Sequence, residues 1–410
     1  MSLRSSTHPT IQPDLLPASA PTAVRAVFSL LKKLRHGTLV VQLPDGSHAH
    51  FGTLADGEPR AGISMRNWNV CIAALKSGDI GFAETFIAGD WTTPDLSALL
   101  KLFLANQEDM DAVIYGTWWG SLLYRFKHLF NRNSRSGSKK NIHAHYDLGN
   151  EFYSLWLDPT MNYSSAWFEG DRSRPMPDAQ HAKVRRALRE AGVKPGDRVL
   201  EIGCGWGALA ECAARDFGAS VSGVTLSTEQ LAWARKRLAD AGLDGDLRFQ
   251  DYRDIQDGPF DAIASIEMFE AVGREYWPSF FETINRQLKP GGKACIQSIT
   301  IRDDLFDRYV KSTDFIQQYI FPGGLLPSPG EFRRAAQRAG LQVVNELAFG
   351  ADYAETLRRW RDSFLHQDAR VRQLGFDTRF MRIWEFYLAY CEAAFEMGNT
   401  SVMQFTLQRR

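Results

Sequence analysis

Val199-Leu200-Glu201-Ile202-Gly203-Cys204-Gly205-Trp206-Gly207 is the stretch on which the reading of this chain turns. An apolar, β-branched run ends in an acidic residue, glycines then alternate, and a helix is predicted from Trp206 onward. Glycine permits the tight turn and lets a ligand lie against the backbone, while the helix presents its N-terminal amides. The third glycine, Gly207, comes one position too early for the dinucleotide fingerprint G-x-G-x-x-G. The loop therefore fits a nucleotide-like ligand without a pyrophosphate better than a dinucleotide.

Strand-like and helix-like segments alternate outward from this turn. Strands are predicted at residues 198–203, 220–226, 247–251, 260–267, 293–299, 341–347 and 402–408, with helices from Trp206, Thr228 and Glu275 and a long helical insertion over 353–397. That alternation predicts an α/β fold, a doubly wound, Rossmann-like, seven-stranded sheet. In such sheets a ligand lies at the carboxyl ends of the strands. Thr225 and Gln230 after the second strand, and Gln250, Asp251 and Tyr252 after the third, thus converge on the crevice of Glu201, Gly203 and Gly205.

The 410 residues exceed one ordinary core and point to two domains. Lys plus Arg equals Asp plus Glu at 48 each, so no global basic field exists to gather nucleic acid. Five cysteines (Cys71, Cys204, Cys212, Cys295 and Cys391), odd in number and without a CxxC pair, fit neither a disulfide framework nor a zinc site and agree with a reducing cytoplasm. Residues 1–22 are polar and Pro/Ser-rich and read as a disordered lead, not a secretory signal. Residues 23–130 read as a small mixed N-terminal domain. It opens with a basic amphipathic helix over 23–35, which either covers a core or lies on anionic lipid. Two strands at 38–43 and 48–52 and helices at 68–77, 81–88 and 95–107 follow. The apolar stretch 112–124 is too short for a membrane span and reads as part of a buried or docking helix over 111–132. Asn131 to Lys140, NRNSRSGSKK, has the composition of a linker, which leaves 141–410 as the ligand-binding domain.

The strand-loop-helix pattern with its downstream residues resembles the class I S-adenosylmethionine (SAM) methyltransferases. A closer resemblance is to the cyclopropane fatty acid synthases. It is carried by His145-Tyr146-Asp147-Leu148-Gly149-Asn150-Glu151-Phe152-Tyr153, Leu157-Asp158-Pro159-Thr160-Met161, Tyr163-Ser164, Gln250-Asp251-Tyr252-Arg253-Asp254, Met268-Phe269-Glu270, Tyr319-Ile320-Phe321-Pro322-Gly323-Gly324 and Phe349-Gly350-Ala351-Asp352-Tyr353. It spans nearly all of 143–410, and Gly78-Asp79-Ile80-Gly81-Phe82-Ala83-Glu84 resembles the smaller N-terminal domain of two-domain bacterial members.

The resemblance implies SAM as cofactor, bound by Tyr146, Tyr163, Ser164, Glu201, Gly203, Gly205, Thr225, Gln230, Gln250, Asp251 and Tyr252. It implies methyl transfer to the cis double bond of a phospholipid acyl chain, in a dry pocket where aromatic faces such as Tyr153, Trp167, Phe168, Phe269 and Tyr319 ease a carbocation. In that family the cation loses its proton to a bicarbonate ion held by a cysteine, a glutamate, a histidine, a tyrosine and a backbone amide. Here Glu270, Tyr353 and Ile299 match, but Ser165 stands at the cysteine and Gln297 at the histidine, so the imidazole is lost. Glu267 replaces a small residue and brings a second carboxylate, so Glu267 or Glu270 is a candidate base. Cys391 matches a late cysteine to which a nucleophilic role is sometimes given, although alkene methylation requires no thiolate. A sister C-methyltransferase giving methyl-branched or methylene lipids, an amine N-methyltransferase and a non-catalytic lipid binder are the alternatives. The expected partners are phospholipid acyl chains and a second copy of the chain, at the inner face of the membrane.

Overall fold

A computed structural model describes residues 10–11, 16–17, 20–52, 60–108 and 148–410. The linker 131–140, the helix expected over 111–132 and Tyr146 lie outside the described residues. The chain divides into two compact units that are not contiguous in sequence: residues 1–127 with 312–319 and 376–397, and residues 128–311 with 320–375 and 398–410.

The first unit carries a five-stranded sheet ordered β1-β3-β2-β4-β5. Its strands are β1 (Thr10–Ile11), β2 (Thr38–Gln42), β3 (His48–Gly52), β4 (Arg60–Met65) and β5 (Trp91–Thr92). Part of the lead expected to be disordered is therefore a strand, with Thr10 and Ile11 paired to His48 and Ala49. The helix Thr22–Leu31 buries Val24, Val27, Phe28 and Leu31, and Phe28 meets Phe51 edge-on at 5.2 Å. Its apolar face is spent on its own unit, which removes the lipid-facing alternative for that face. Gly78, at φ 60°, breaks the long helix Asn69–Ala88 where a gap between two helices was expected. A Cβ at Gly81 would lie 2.1 Å from the Ala73 carbonyl oxygen, so the restart admits only glycine.

Two segments expected in the ligand-binding domain complete this unit. The helix Thr378–Glu396 packs on Leu96–Ala105 and Asn69–Ala88: Phe386 meets Phe82 and Phe86, and the Ser97 hydroxyl donates to buried Glu392 at 2.7 Å. The short helix Phe315–Tyr319 docks through Asp79, which accepts the Phe315 amide at 3.1 Å, and Tyr319 donates to Glu84 at 2.6 Å. The single domain expected over 141–410 is corrected accordingly, because the buried faces of these helices match the first unit's core.

The second unit is built on a seven-stranded sheet ordered β11-β12-β10-β9-β6-β7-β8. The strands are β6 (Arg198–Ile202), β7 (Ser220–Thr225), β8 (Asp246–Phe249), β9 (Phe260–Ile266), β10 (Leu288–Ile301), β11 (Leu341–Ala348) and β12 (Thr400–Arg409). Strands β10, β9, β6, β7 and β8 are parallel, and β12 runs antiparallel to both β10 and β11. Chain order reverses between β6 and β9, which opens a crevice at their carboxyl ends. Among the described residues no helix is long and apolar enough to cross a membrane.

Candidate active site

The crevice is a cavity of about 1170 Å³ of empty space counting its open mouth, ample for a small-molecule cofactor. Its floor is the glycine turn, pinned where the Gly203 and Cys204 amides donate to the Val224 carbonyl at 2.9 and 3.0 Å. The three glycines have different duties. Gly205 has φ +49° and nothing within 4 Å of where a Cβ would stand, so its face is open to the cavity. A Cβ at Gly207 would lie 2.9 Å from that of Ala234, and one at Gly203 would meet Met268 at 2.9 Å. Gly207 thus serves helix packing, and Gly205 leaves room for a ligand.

Tyr163, Ser164, Glu201, Thr225, Gln230, Gln250, Asp251 and Tyr252 line the same cavity, as the sequence predicts. Ser227 caps the helix Thr228–Asp240 by accepting the Gln230 amide, and the Thr225 hydroxyl donates to the Gln230 side-chain oxygen at 3.3 Å. Asp251 is clamped by Arg253 at 2.8 and 2.6 Å. Glu201 is buried with one carboxylate oxygen unpartnered, and burial pushes its pKa well above the ordinary value. Such an orphaned acceptor fits a cofactor that brings its own N–H donors. Beside it an aromatic group packs: Tyr153, Trp156, Tyr163, Trp206 and Trp360, with ring centroids 5.1 to 5.8 Å apart.

At the wall formed by the end of β9, Glu267 also lines the cavity. Its Oε1 accepts the Ser165 amide at 2.9 Å and Gln297 Nε2 at 2.7 Å, and its Oε2 accepts the Tyr353 hydroxyl at 2.6 Å. Gln297 is aimed by a relay. Arg186 donates to Gln404 Oε1 at 2.6 Å, and Gln404 Nε2 donates to Gln297 Oε1 at 3.0 Å, which turns the Gln297 amide nitrogen toward Glu267. Burial raises the Glu267 pKa, while the fully buried ammonium of Lys183 opposes that rise. Lys183 donates to the Ser164 hydroxyl, and burial pushes its own pKa down to about 8. Glu270 accepts the Ile299 amide, its other oxygen has no partner, and burial with the Glu267 charge pushes it up to about 8. Burial and the neighbouring Glu267 charge thus favour the protonated form of Glu270, while Lys183 favours the charged form of Glu267.

The structure thus brings Ser165, Gln297 and Tyr353 together as expected, but around Glu267. Ser165 reaches it through its amide, since the hydroxyl donates to the Ala166 carbonyl. Of the donors expected to hold a bicarbonate ion, those of Ser165, Gln297 and Tyr353 go to this side chain and the Ile299 amide goes to Glu270, so the residues present do not fit the ion. Cys391 sits on the helix Thr378–Glu396 of the first unit, and desolvation raises its thiol pKa, the opposite of what an activated nucleophile needs. Tyr319 also belongs to the first unit, and Phe269 is a core residue stacked on Trp277. Lys183, Arg186 and Gln404 were missed. The legible signal for Lys183 was its place between Ala179 and Ala187, a lysine on the buried stripe of a helix.

A glycine-floored crevice at the switch point, with polar groups from three strand ends, defines a class I methyltransferase, and the chain is a SAM-dependent methyltransferase. Residues 133–405 match the Mycolic acid cyclopropane synthetase family. The chain is 40% identical over 344 residues to a tuberculostearic acid methyltransferase of Mycobacterium tuberculosis, covering 82% of this chain and 80% of that protein. It is 35% identical over 366 residues to the cyclopropane-fatty-acyl-phospholipid synthase of Escherichia coli K12, covering 87% and 90%. A mycolic acid cyclopropane synthase solved with SAH and CTAB superposes with a TM-score of 0.62 at 32% identity, over 66% of this chain and 98% of that one. The chain belongs to the mycolic acid cyclopropane synthetase family.

Proposed function

We propose that the enzyme transfers a methyl group from SAM to the double bond of an unsaturated acyl chain in a membrane phospholipid. The observation that carries this reading is the acid cluster in which Glu267, in the wall of the cofactor cavity, accepts from Tyr353 and Gln297. SAM, when bound, supplies an electrophilic methyl group. The chain must align a weakly nucleophilic alkene with it, exclude water, ease positive charge and accept a proton. Tyr163, in the cavity wall and packed against Tyr153 and Trp360, offers a π face for the charge, and the acid cluster offers the acceptor. Gly203, Gly205, Glu201, Thr225, Gln230 and Asp251 hold the cofactor, joined by Tyr146. Both relatives named above, matched over four-fifths of this chain or more, act in their names on fatty acyl products.

A second reading has its own support. The changed anion site and the 40% identity to a tuberculostearic acid methyltransferase favour a methyl-branched or methylene product without ring closure. The first unit contributes lipid binding or dimerisation at the cytoplasmic face of the membrane, through surfaces other than the buried side of the helix Thr22–Leu31. Incubation with unsaturated phospholipid vesicles and methyl-labelled SAM, followed by mass spectrometry and ozonolysis, tests the function. An added methylene unit in a saturated ring supports the synthase reading, and an added unit with unsaturation retained supports the sister reaction. Absence of label in lipid refutes both.

A further inference from the structure

We infer that Glu267 is the general base of the reaction and stands, as a built-in carboxylate, where relatives would bind a free anion. The inference rests on the lipid C-methylation proposed above for the source of the proton. Three observations carry it. The Glu267 carboxylate takes three donors at once, from Ser165, Gln297 and Tyr353, and so stands in the place that an anion on those donors would fill. It lies in the wall of the cofactor cavity. Its backbone has φ 49°, a left-handed conformation that a non-glycine residue adopts at a cost, and such strain persists where the side chain is needed. Glu270 is the poorer candidate, since its Oε1 accepts the Ile299 amide while its Oε2 has no hydrogen-bond partner among the described residues, and burial with the Glu267 charge pushes its pKa up to about 8.

The electrons balance without another reactant. The alkene π pair forms the new carbon–carbon bond, the sulfur–methyl bond breaks with its pair left on sulfur as S-adenosylhomocysteine (SAH), and the other alkene carbon becomes cationic. Glu267 then takes a proton from the carbon skeleton, and the released C–H pair closes a ring or forms a new double bond. The proton leaves on the carboxyl group and returns to solvent on product release.

Glu267→Gly is the informative variant, because glycine suits the positive φ and vacates the space in front of Ser165, Gln297 and Tyr353. Wild-type enzyme is expected to show no bound signal with isotope-labelled bicarbonate by NMR, whereas Glu267→Gly binds the ion. This arm needs no lipid, so it decides the occupant even if the lipid reading fails. On unsaturated phospholipid vesicles, wild-type turnover should be unchanged in carbonate-free buffer. Glu267→Gln should lose at least about 100-fold in turnover with SAH affinity kept. Glu267→Gly should lose as much and regain activity on adding bicarbonate. Bicarbonate bound by or required by the wild type, or near-full turnover in Glu267→Gln, overturns the inference. Wild-type enzyme that methylates no lipid refutes the proposed function instead.

Discussion

Replacing Gly205 by alanine separates a ligand-facing glycine from a structural one. In the protein alone the new methyl group meets nothing within 4 Å, so its cost to folding is the φ of +49°, about 1 to 2 kcal/mol for an L-residue in the left-handed region. At Gly207 the φ of +83° carries a similar cost, and the Cβ would also stand 2.9 and 3.1 Å from Ala234 Cβ and Cα on the facing helix. That overpacking adds about 1 to 3 kcal/mol. Gly205→Ala should therefore melt only slightly below wild type yet bind SAH at least about tenfold more weakly, a loss of about 1.4 kcal/mol or more. Gly207→Ala should show the reverse balance, a large fall in melting temperature with a smaller effect on affinity in the folded fraction. Calorimetric titration with SAH beside thermal melts reads both quantities. Unchanged affinity in Gly205→Ala would show that the cofactor does not rest on this face of the turn.

Two further outcomes follow from the first unit. Burial pushes Asp79 up to about 7 and Asp314 up to about 6, from 3.8, so the native state holds protons that the unfolded chain releases. Their stabilisation is complete below about pH 4 and is lost as pH rises toward 7, with a ceiling of about 4 kcal/mol for Asp79. Asp79→Asn should flatten the pH dependence of melting between 4 and 7, and an unaltered slope refutes the assignment. Phe28→Ala, which removes a ring that is 2% exposed and packed on Phe51, should destabilise the protein by about 3 to 5 kcal/mol in denaturant melts. A loss of vesicle binding without loss of stability would instead return the helix Thr22–Leu31 to a lipid role.

The cofactor crevice was legible because each of its parts is local: β6 with its glycine turn, Thr225 to Gln230, and Gln250 to Tyr252 each sit within a few residues of a strand end. All seven strands of the larger sheet announced themselves through apolar runs. Strand β4 did not, since Arg-Ala-Gly-Ile-Ser-Met has one β-branched residue and its pairing with β2 is long-range. The geometry of the acid cluster was hidden for a related reason. Glu267 and Glu270 are both visible as carboxylates, but which one receives Ser165, Gln297 and Tyr353 depends on contacts 30 to 102 residues apart. The relay from Arg186 through Gln404 spans 218 residues and leaves no local pattern. The allocation of residues 376–397 to the first unit failed as a sequence reading because the helix Thr378–Glu396 follows directly on helices of the second.

That allocation constrains the order in which the protein can be made. Ser97 waits for Glu392, 295 residues later, and Asp79 waits for Tyr390, 311 residues later. A ribosome releasing the chain from its amino end cannot let the first unit finish folding before nearly all of the second has emerged. The core around Phe82 and Phe86 meanwhile lacks the cover of Phe386, leaving an apolar surface that a nascent chain must shield. Shortening the polypeptide by its last few dozen residues would therefore cripple its first hundred.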